Sequence, residues 1–231
     1  MRLLFVASIP MEFAGLERHI EDTRPADFAV DWARAARLGG QEVLLLANGA
    51  GRRRAAEAVD AAKPWRPDAI VSTGFCGGLD RELPVACIVI ATAIASDQGA
   101  YTAAPGPQGA SGGHCGLVCS IDHVARTAGE KRQLRETGAC AVEMEAAGVA
   151  ERAQSLTVPF FCVRAVTDLA DETMANDFNS ALRPDGHFDT MIILRGTLRR
   201  PMVRLPELFR LCQRSMRATR ALGDFIAGCR F

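Results

Sequence analysis

Three acidic residues stand at the ends of apolar runs between residues 141 and 171. Glu143 and Glu145 close the first run, and Asp168 follows a second run, 158–166, that is rich in Val and Phe. A carboxylate beside a buried strand needs a partner or a function, because an unpaired buried charge is costly. The spacing therefore predicts a ligand site in which carboxylates carry the chemistry.

The elements that would position these acids form one strand–helix–strand unit. Residues 139–142 and 158–166 are apolar in the manner of strands covered on both faces, and residues 145–156 have the apolar spacing of a helix. The acids then lie at the carboxyl ends of both strands. In open α/β sheets, ligands bind in the crevice outside those ends.

The same patterns recur along the whole chain and predict an α/β fold: a single domain, 1–231, with a central, partly parallel mixed sheet flanked by helices. A Gly- and Pro-rich loop is predicted over 99–116. Strands are predicted at 3–7, 28–32, 42–46, 69–72, 86–93, 117–120, 139–142 and 159–166, and helices at 53–62, 123–136, 145–156, 188–198, 205–210 and 215–227.

Composition excludes several classes of protein. A formal net charge of zero gives no overall basic field for nucleic acid. The eight cysteines form no CxxC pair and the four histidines lack metal-ligand spacing, so we expect reduced thiols, a cytoplasmic location and no metal. No apolar run approaches the roughly 20 residues that cross a bilayer.

Two glycine-rich turns follow predicted strands, at 48–51 and 73–78. Each could bring backbone amides close to an anion or a sugar, or could simply be a tight turn. Neither matches the GxGxxG or GxxxxGK[ST] pattern. A dinucleotide-dependent oxidoreductase remains a rival class, and it would require NAD(P) or flavin.

Several motifs together carry a resemblance to a known family. They are VEMEA at 142–146, VRAVTDLAD at 163–171, NGAG at 48–51 and STGFCGGL at 72–79, with Glu12 near the first strand. In this order the chain resembles the nucleoside phosphorylase superfamily, and within it the methylthioadenosine/S-adenosylhomocysteine nucleosidases. The resemblance implies a homo-oligomeric enzyme that cleaves the N-glycosidic bond of a 5′-modified adenine nucleoside without a metal or organic cofactor.

The resemblance also assigns roles to the acids. Asp168 matches the general acid that protonates the purine at N7, so its pKa would have to be raised by burial. Glu145 matches the carboxylate that holds the ribose hydroxyl groups, and Met144 would pack under the sugar. Glu12 matches the carboxylate that activates water. Taken alone, Asp168 could instead cap a helix, Met144 could be a core residue, and Glu12 could be an exposed acid at a helix start.

Gly74, Phe75 and Val124 complete the predicted substrate site. Gly74 and Phe75 belong to the turn that lies near the nucleophile in the family, and Val124 lies roughly where relatives surround the base. Phe75 replaces a serine of the family motif, and no arginine stands where the phosphorylases hold phosphate, although 52–54 are all arginines. Hydrolysis is therefore favoured. The alternatives are phosphorolysis, with phosphate as co-substrate, and a non-catalytic nucleoside-binding module.

The C-terminal segment, 199–231, is predicted to be a basic helical tail. From Arg195 onward the chain holds nine arginines and two acids, with apolar residues at near-helical spacing. Such a tail could dock on its own domain or contact an anionic membrane. It resembles the hopanoid-associated members of the superfamily, which release adenine from adenosylhopane, and this likeness implies a lipid-tailed nucleoside as substrate.

Overall fold

A ten-stranded mixed sheet organises the computed structural model, which describes residues 1–109 and 112–231. The strands are β1 Arg2–Ala7, β2 Glu21–Pro25, β3 Trp32–Leu38, β4 Gln41–Ala47, β5 Ala69–Gly78, β6 Ile88–Ser96, β7 Gly99–Thr102, β8 His114–Ser120, β9 Ala141–Glu143 and β10 Phe160–Asp168. The helices are α1 Arg52–Ala62, α2 Ala128–Glu136, α3 Ala146–Leu156, α4 Thr190–Leu198 and α5 Pro201–Ala227.

The strand pairings divide the sheet into a closed ring and an open flank. β5 pairs with β10, and the chain of pairings continues through β6, β8 and β9 back to β5. On the other side of β5 lie β1, β4, β3 and β2, in that order. β1 is parallel to both β4 and β5, whereas β3 is antiparallel to β4. The predicted α/β class with a mixed sheet is confirmed.

Helices cover both faces of the sheet, which explains why the inner strands are apolar throughout. α1 and α3 pack on one face, and the buried residues Ala218, Leu222 and Ile226 of α5 pack on the other. Gly148 permits the close contact between α1 and α3, because a Cβ atom there would lie 2.1 Å from the carbonyl oxygen of Arg52. The two layers hold β1, β5 and β10 rigidly in the interior.

The predicted strand at 28–32 is wrong. Residues 29–31 form bends, the Val30 amide donates to the Phe28 carbonyl at 2.7 Å, and β3 begins only at Trp32. The missed signal is the pair Gly39 and Gly40, both with positive φ, which forms the two-residue hairpin between β3 and β4. β3 carries two arginines among its small residues, so it lacks the continuous apolar run by which the other strands were predicted.

The predicted helix at 123–136 begins later, as α2 at Ala128. Thr127 caps it by accepting a hydrogen bond from the Glu130 amide at 3.1 Å, and the Glu130 carboxylate accepts from the Arg126 amide at 3.0 Å. Residues 123–127 are therefore a loop. Side chains of this loop can therefore line a ligand site.

The two helices predicted at 205–210 and 215–227 are one continuous helix, α5, with Pro206 inside it. Proline removes one backbone hydrogen bond, but the helix continues because its second half is fixed against the sheet. The predicted loop 99–116 contains β7 and the start of β8, while its residues 110 and 111 lie outside the described residues. Among the described helices, none is long and apolar enough to span a membrane.

Candidate active site

A cavity of about 380 Å³ opens at the carboxyl ends of β1, β5, β9 and β10. Six of the seven predicted site residues line it, and the seventh lies directly beneath one of them. Its walls include Ser8, Ile9, Met11, Glu12, Phe75, Cys76, Gly77, Val124, Met144, Glu145, Thr167, Asp168, Met174, Phe178, Phe188, Ile193, Leu211 and Ser215. The cavity therefore brings together segments that are far apart in sequence.

Glu12 is buried, which contradicts the alternative of an exposed acid at a helix start. Its Oε2 accepts hydrogen bonds from the Ser8 amide (2.8 Å), the Ser8 hydroxyl (2.9 Å) and the Ile9 amide (3.0 Å). Its Oε1 accepts from the Phe75 amide at 2.7 Å. Four donors thus fix the carboxylate in one orientation at the cavity wall.

Gly74 supports this carboxylate by lacking a side chain. Its φ is +139°, and a Cβ atom there would lie 2.3 Å from Oε1 of Glu12 and 2.9 Å from Nη1 of Arg164. Only glycine combines that backbone conformation with so close an approach. The next residue, Phe75, is half-buried and lines the cavity, so the position that carries serine in the family pattern presents an aromatic ring.

Glu143 and Glu145 share one cation, the fully buried Arg164 of β10. Arg164 Nη2 forms an ion pair with Glu143, and Nη1 donates to Glu145 Oε2 at 3.3 Å. Glu143 Oε2 also accepts from the amides of Glu145 (2.9 Å) and Ala146 (2.8 Å) at the start of α3. Glu143 is thus a structural partner of Arg164, and it anchors the helix start beside the site.

Glu145 is the acid left available to a ligand. Its Oε1 accepts from the amide of Gly51 in the first glycine-rich turn at 3.0 Å. Burial, together with the nearby Glu143 and Glu12 carboxylates, raises the pKa of Glu145 to about 7, although Arg164 opposes the shift. The neighbouring Met144 is half-buried on the cavity wall rather than in the core.

Asp168, at the end of β10, has a buried carboxyl group with two side-chain partners. Its Oδ2 forms an ion pair with Lys131 of α2, and its Oδ1 accepts from the Thr167 hydroxyl at 3.1 Å. Burial raises the pKa of Asp168 above its ordinary value, although the Lys131 ammonium group opposes the shift. A carboxyl group that keeps its proton more readily is suited to act as an acid.

Val124 lies in the cavity wall on the loop that precedes α2. Its amide donates to Asn179 Oδ1 at 2.8 Å, and its carbonyl accepts from Asn179 Nδ2 at 3.0 Å. Its backbone polar groups are thus held by Asn179, so Val124 contributes an apolar surface. His123, also in the wall, is hydrogen bonded to Asp122 (2.7 Å) and Glu130, and the bond with Asp122 raises the pKa of His123.

Sequence reasoning missed two groups of residues at this site. The first comprises Lys131 and Asn179, which act on predicted site residues from behind the wall. The second comprises Ile193 of α4 with Leu211 and Ser215 of α5, which form the outer wall. A signal for Lys131 was present, because the chain has only two lysines among 27 basic residues.

The cavity is acidic. Four carboxylates line it, at positions 12, 143, 145 and 168, whereas no arginine or lysine is among its described lining residues. The arginines of the first glycine-rich turn are engaged elsewhere: Arg52 pairs with Glu151 (2.8 Å), Arg53 with Glu57 (2.6 Å) and Arg54 with Asp31 (2.6 Å). Over the described residues, no group of three or more His, Cys, Asp or Glu side chains could hold a metal ion.

Comparisons with known proteins show which proteins this chain resembles. A 5′-methylthioadenosine/S-adenosylhomocysteine nucleosidase of Lysinibacillus sphaericus is 25% identical over 226 residues, covering 85% of this chain and 98% of that protein. The structure of a nucleosidase of the same kind from S. pneumoniae, with the transition-state inhibitor MT-ImmA, superposes with a TM-score of 0.75 at 19% identity, covering 99% and 97% of the two chains.

A futalosine hydrolase mutant of Helicobacter pylori superposes equally well, with a TM-score of 0.75 at 13% identity and coverage of 99% and 97%. Structural likeness at such identities shows the fold alone. The family model described as "Phosphorylase superfamily" matches residues 2–113 and 109–184, which is most of the chain. The chain therefore belongs to the phosphorylase superfamily, a superfamily of enzymes.

Proposed function

We propose that this protein hydrolyses the N-glycosidic bond of an adenine nucleoside that carries a modified 5′ substituent. The observation that carries the proposal is the meeting of Glu12, Glu145 and Asp168, which come from three separate segments, in one cavity. The nucleosidase of L. sphaericus, which matches over most of its length, supports the class of substrate. A futalosine hydrolase shares the fold.

In the proposed mechanism each acid has one task. Asp168 donates a proton to N7 of the purine as the bond between N9 and C1′ breaks. Glu145 accepts hydrogen bonds from the two ribose hydroxyl groups, with Met144 packed under the sugar. Glu12 takes a proton from water, whose oxygen attacks C1′. The surrounding carboxylates favour the positive charge that develops on the ribose in the oxocarbenium-like transition state.

The charge of the cavity favours water over phosphate as the nucleophile. A phosphate dianion would have to approach the Glu12 and Glu145 carboxyl groups, and Arg52, Arg53 and Arg54 are held in ion pairs outside the described cavity wall. Repulsion between these negative charges and the phosphate disfavours its binding in the cavity. Phosphorolysis is thus the weaker alternative, and a dependence of the rate on phosphate would establish it instead.

Adenine release tests the proposal directly. Methylthioadenosine, adenosine and an adenosylated-lipid mimic would be incubated with the wild type, Asp168→Asn and the control Asp171→Asn, with and without phosphate. Asp171 lies in the same loop but is exposed and pairs with Arg81 at the surface. We expect Asp168→Asn to lower kcat about 10²- to 10⁴-fold, and Asp171→Asn to match the wild type. Equal adenine release by all three proteins would refute the role of Asp168 as the acid, and no release by any of them would leave a nucleoside-binding module.

The outer wall favours a large apolar 5′ substituent, such as the triterpenoid of adenosylhopane. Helices α4 and α5 expose nine large apolar side chains, here called the α4–α5 surface, and the same helices line the cavity through Ile193 and Leu211. An apolar tail could therefore leave the cavity along them. The nine side chains are Met191, Ile192, Leu194, Leu198, Met202, Val203, Leu205, Phe209 and Met216.

The charge of this surface favours contact with an anionic membrane. Five exposed arginines stand among its apolar residues and form no salt bridge with any described residue: Arg195, Arg199, Arg200, Arg210 and Arg217. The acid within the same stretch, Glu207, is buried and accepts from the amides of Ala175 and Asn176. A basic surface near anionic lipid gains roughly 1 kcal/mol per arginine.

Vesicle co-sedimentation tests this membrane contact. We expect binding to vesicles that contain phosphatidylglycerol, weak binding to pure phosphatidylcholine, and reduced binding after Phe209→Ser. A matched control is Phe28→Ser, a half-buried aromatic residue outside this surface. Light scattering would accompany the assay. A dimer that dissociates on Phe209→Ser, without any binding to vesicles, would assign the surface to subunit contact instead.

A further inference from the structure

Asp168, the proposed acid, forms an ion pair with a buried cation, Lys131. Lys131 of α2 is 1% exposed, and its Nζ contacts only two acceptors in the described structure: Asp168 Oδ2 and the carbonyl oxygen of Leu169, at 2.8 Å. It does not line the cavity. A fully buried lysine is uncommon, because burial of an ammonium group is costly unless the group is paired.

The choice of lysine is informative in this chain. The sequence contains 27 basic residues, and only Lys63 and Lys131 are not arginine. A guanidinium group brings five donors in a rigid plane, and the pocket around Nζ offers two acceptors, so an arginine would leave buried donors unpaired. The compact ammonium group fits a site that has to present a point charge to one carboxyl oxygen.

The loop that carries the acid is held from the other side as well. Glu172 accepts from the Leu169 amide at 3.0 Å, and Arg214 of α5 binds Glu172 through both of its terminal nitrogens, at 2.6 and 2.9 Å. Lys131 and Arg214 therefore fix the residues after Asp168 from two different helices. The carboxyl group of Asp168 has little freedom to rotate.

We propose that Lys131 is the positioning residue of the reaction: it fixes the orientation of the Asp168 carboxyl group toward the base and sets the pH range in which that group can donate its proton. This inference rests on the proposed function. The charged and titratable groups that act on Asp168 are Lys131 from α2, Glu172 from its own loop, Arg214 from α5 and the Cys76 thiol from β5. Lys131 is the one that contacts the carboxyl group directly.

The test compares the pH dependence of adenine release for the wild type, Lys131→Met and the control Lys63→Met. Lys63 is the other lysine, and it is exposed and paired with Asp60 at 2.7 Å. In Lys131→Met we expect kcat to fall about 100-fold, as misplacement of a reacting group by about 1 Å can cause, with KM unchanged. We also expect the basic limb of the pH profile to move to higher pH, because the opposing positive charge is gone. Lys63→Met should match the wild type.

Two further variants separate positioning from a merely structural role. Combined with Asp168→Asn, Lys131→Met should lower kcat no further, since Lys131 acts through that carboxyl group. Lys131→Arg keeps the charge and serves if the Met variant does not fold. It should lower kcat while the basic limb stays in place.

Wild-type kcat and an unmoved basic limb in Lys131→Met, or additive losses with Asp168→Asn, would overturn the inference. A wild-type kcat in Lys131→Arg would do the same. If the wild type itself releases no adenine, the proposed function fails, and this inference fails with it.

Discussion

Replacement of Arg164 by methionine is expected to be the most damaging single change near the site. Arg164 is fully buried, and its two terminal nitrogens bind Glu143, Glu145, the Ser72 hydroxyl (2.7 Å) and the Thr73 carbonyl (3.2 Å). Methionine would occupy similar space but supply no charge. Both glutamates would then remain buried without their cation.

The size of the effect follows from the burial of the pair. Removal of one partner from a buried ion pair costs about 3–5 kcal/mol. In a domain of this size each kcal/mol lowers Tm by about 2–4 °C, so a fall of about 6–20 °C is expected. Arg81→Met is the matched control, because Arg81 and its partner Asp171 are both exposed. A surface pair of this kind contributes about 0–1 kcal/mol.

The loss should also depend on pH, with a sign that follows from Glu145. Arg164 opposes the rise in the pKa of Glu145, so its removal raises that pKa further. A raised folded pKa makes the ionised acid a source of instability above the pKa of the unfolded chain. The part of the destabilisation that comes from Glu145 should therefore be small below about pH 7, where Glu145 is largely protonated in the wild type as well, and should grow as the pH rises above 7.

Thermal unfolding followed by circular dichroism at several pH values is the measurement. The double variant Arg164→Met, Glu143→Gln should recover part of the lost stability, because it removes one of the stranded charges. A loss no larger than that of Arg81→Met, or an equal loss at acidic and alkaline pH, would refute the reasoning.

Three further predictions concern the site and its support. Gly74→Ala should abolish most activity, because its Cβ would collide with the Glu12 carboxylate; Gly99→Ala, at a similar φ of +131° but with open space around it, should retain full kcat in the adenine-release assay. Binding of a non-hydrolysable nucleoside, measured by calorimetry, should strengthen as the pH rises through about 7, where Glu145 ionises, and Glu145→Gln should bind weakly with no such step. Gly223→Ala should lower the free energy of unfolding by about 1–3 kcal/mol, because its Cβ would lie 2.1 Å from backbone atoms of the segment after β1; an unchanged denaturant midpoint would contradict that contact.

The site residues that could be predicted from the sequence are those that belong to short motifs. Asp168 ends β10 and Glu145 stands two residues after β9, so an apolar run and the acid at its end were enough to place them at the same edge of a sheet. Glu12 required the resemblance to the family, because nothing local marks it as buried. The core strands were predicted for the same reason as the acids, since β1, β4 and β10 each contain a run of apolar residues, broken in β10 only by Arg164 before its polar end.

The residues that were missed depend on contacts distant in sequence. Lys131 stands in the polar stretch EKRQLRE, which has the composition of a solvated helix face, and only the fold shows that it points inward to a residue 37 positions away. The helix break predicted after 210 failed because the sheet contacts of α5 outweigh Pro206. The strand predicted at 28–32 was wrong although its residues favour strands. The hairpin at Gly39 and Gly40 sets the register of β3 against β4.

The closed ring of β5, β10, β6, β8 and β9 separates the chemistry from the choice of substrate. Strands in a closed ring have no free edge. The strand ends next to Glu145 and Asp168 are therefore held against fraying and against slips in register. The outer wall, by contrast, comes from α4 and the exposed first half of α5. In the proposed reaction, changes in that helical pair would reshape the route for the 5′ group while the acids stay in place. Under the proposed function, exchange of exposed apolar side chains on these two helices would change the substrate range and leave the acids and Arg214 untouched.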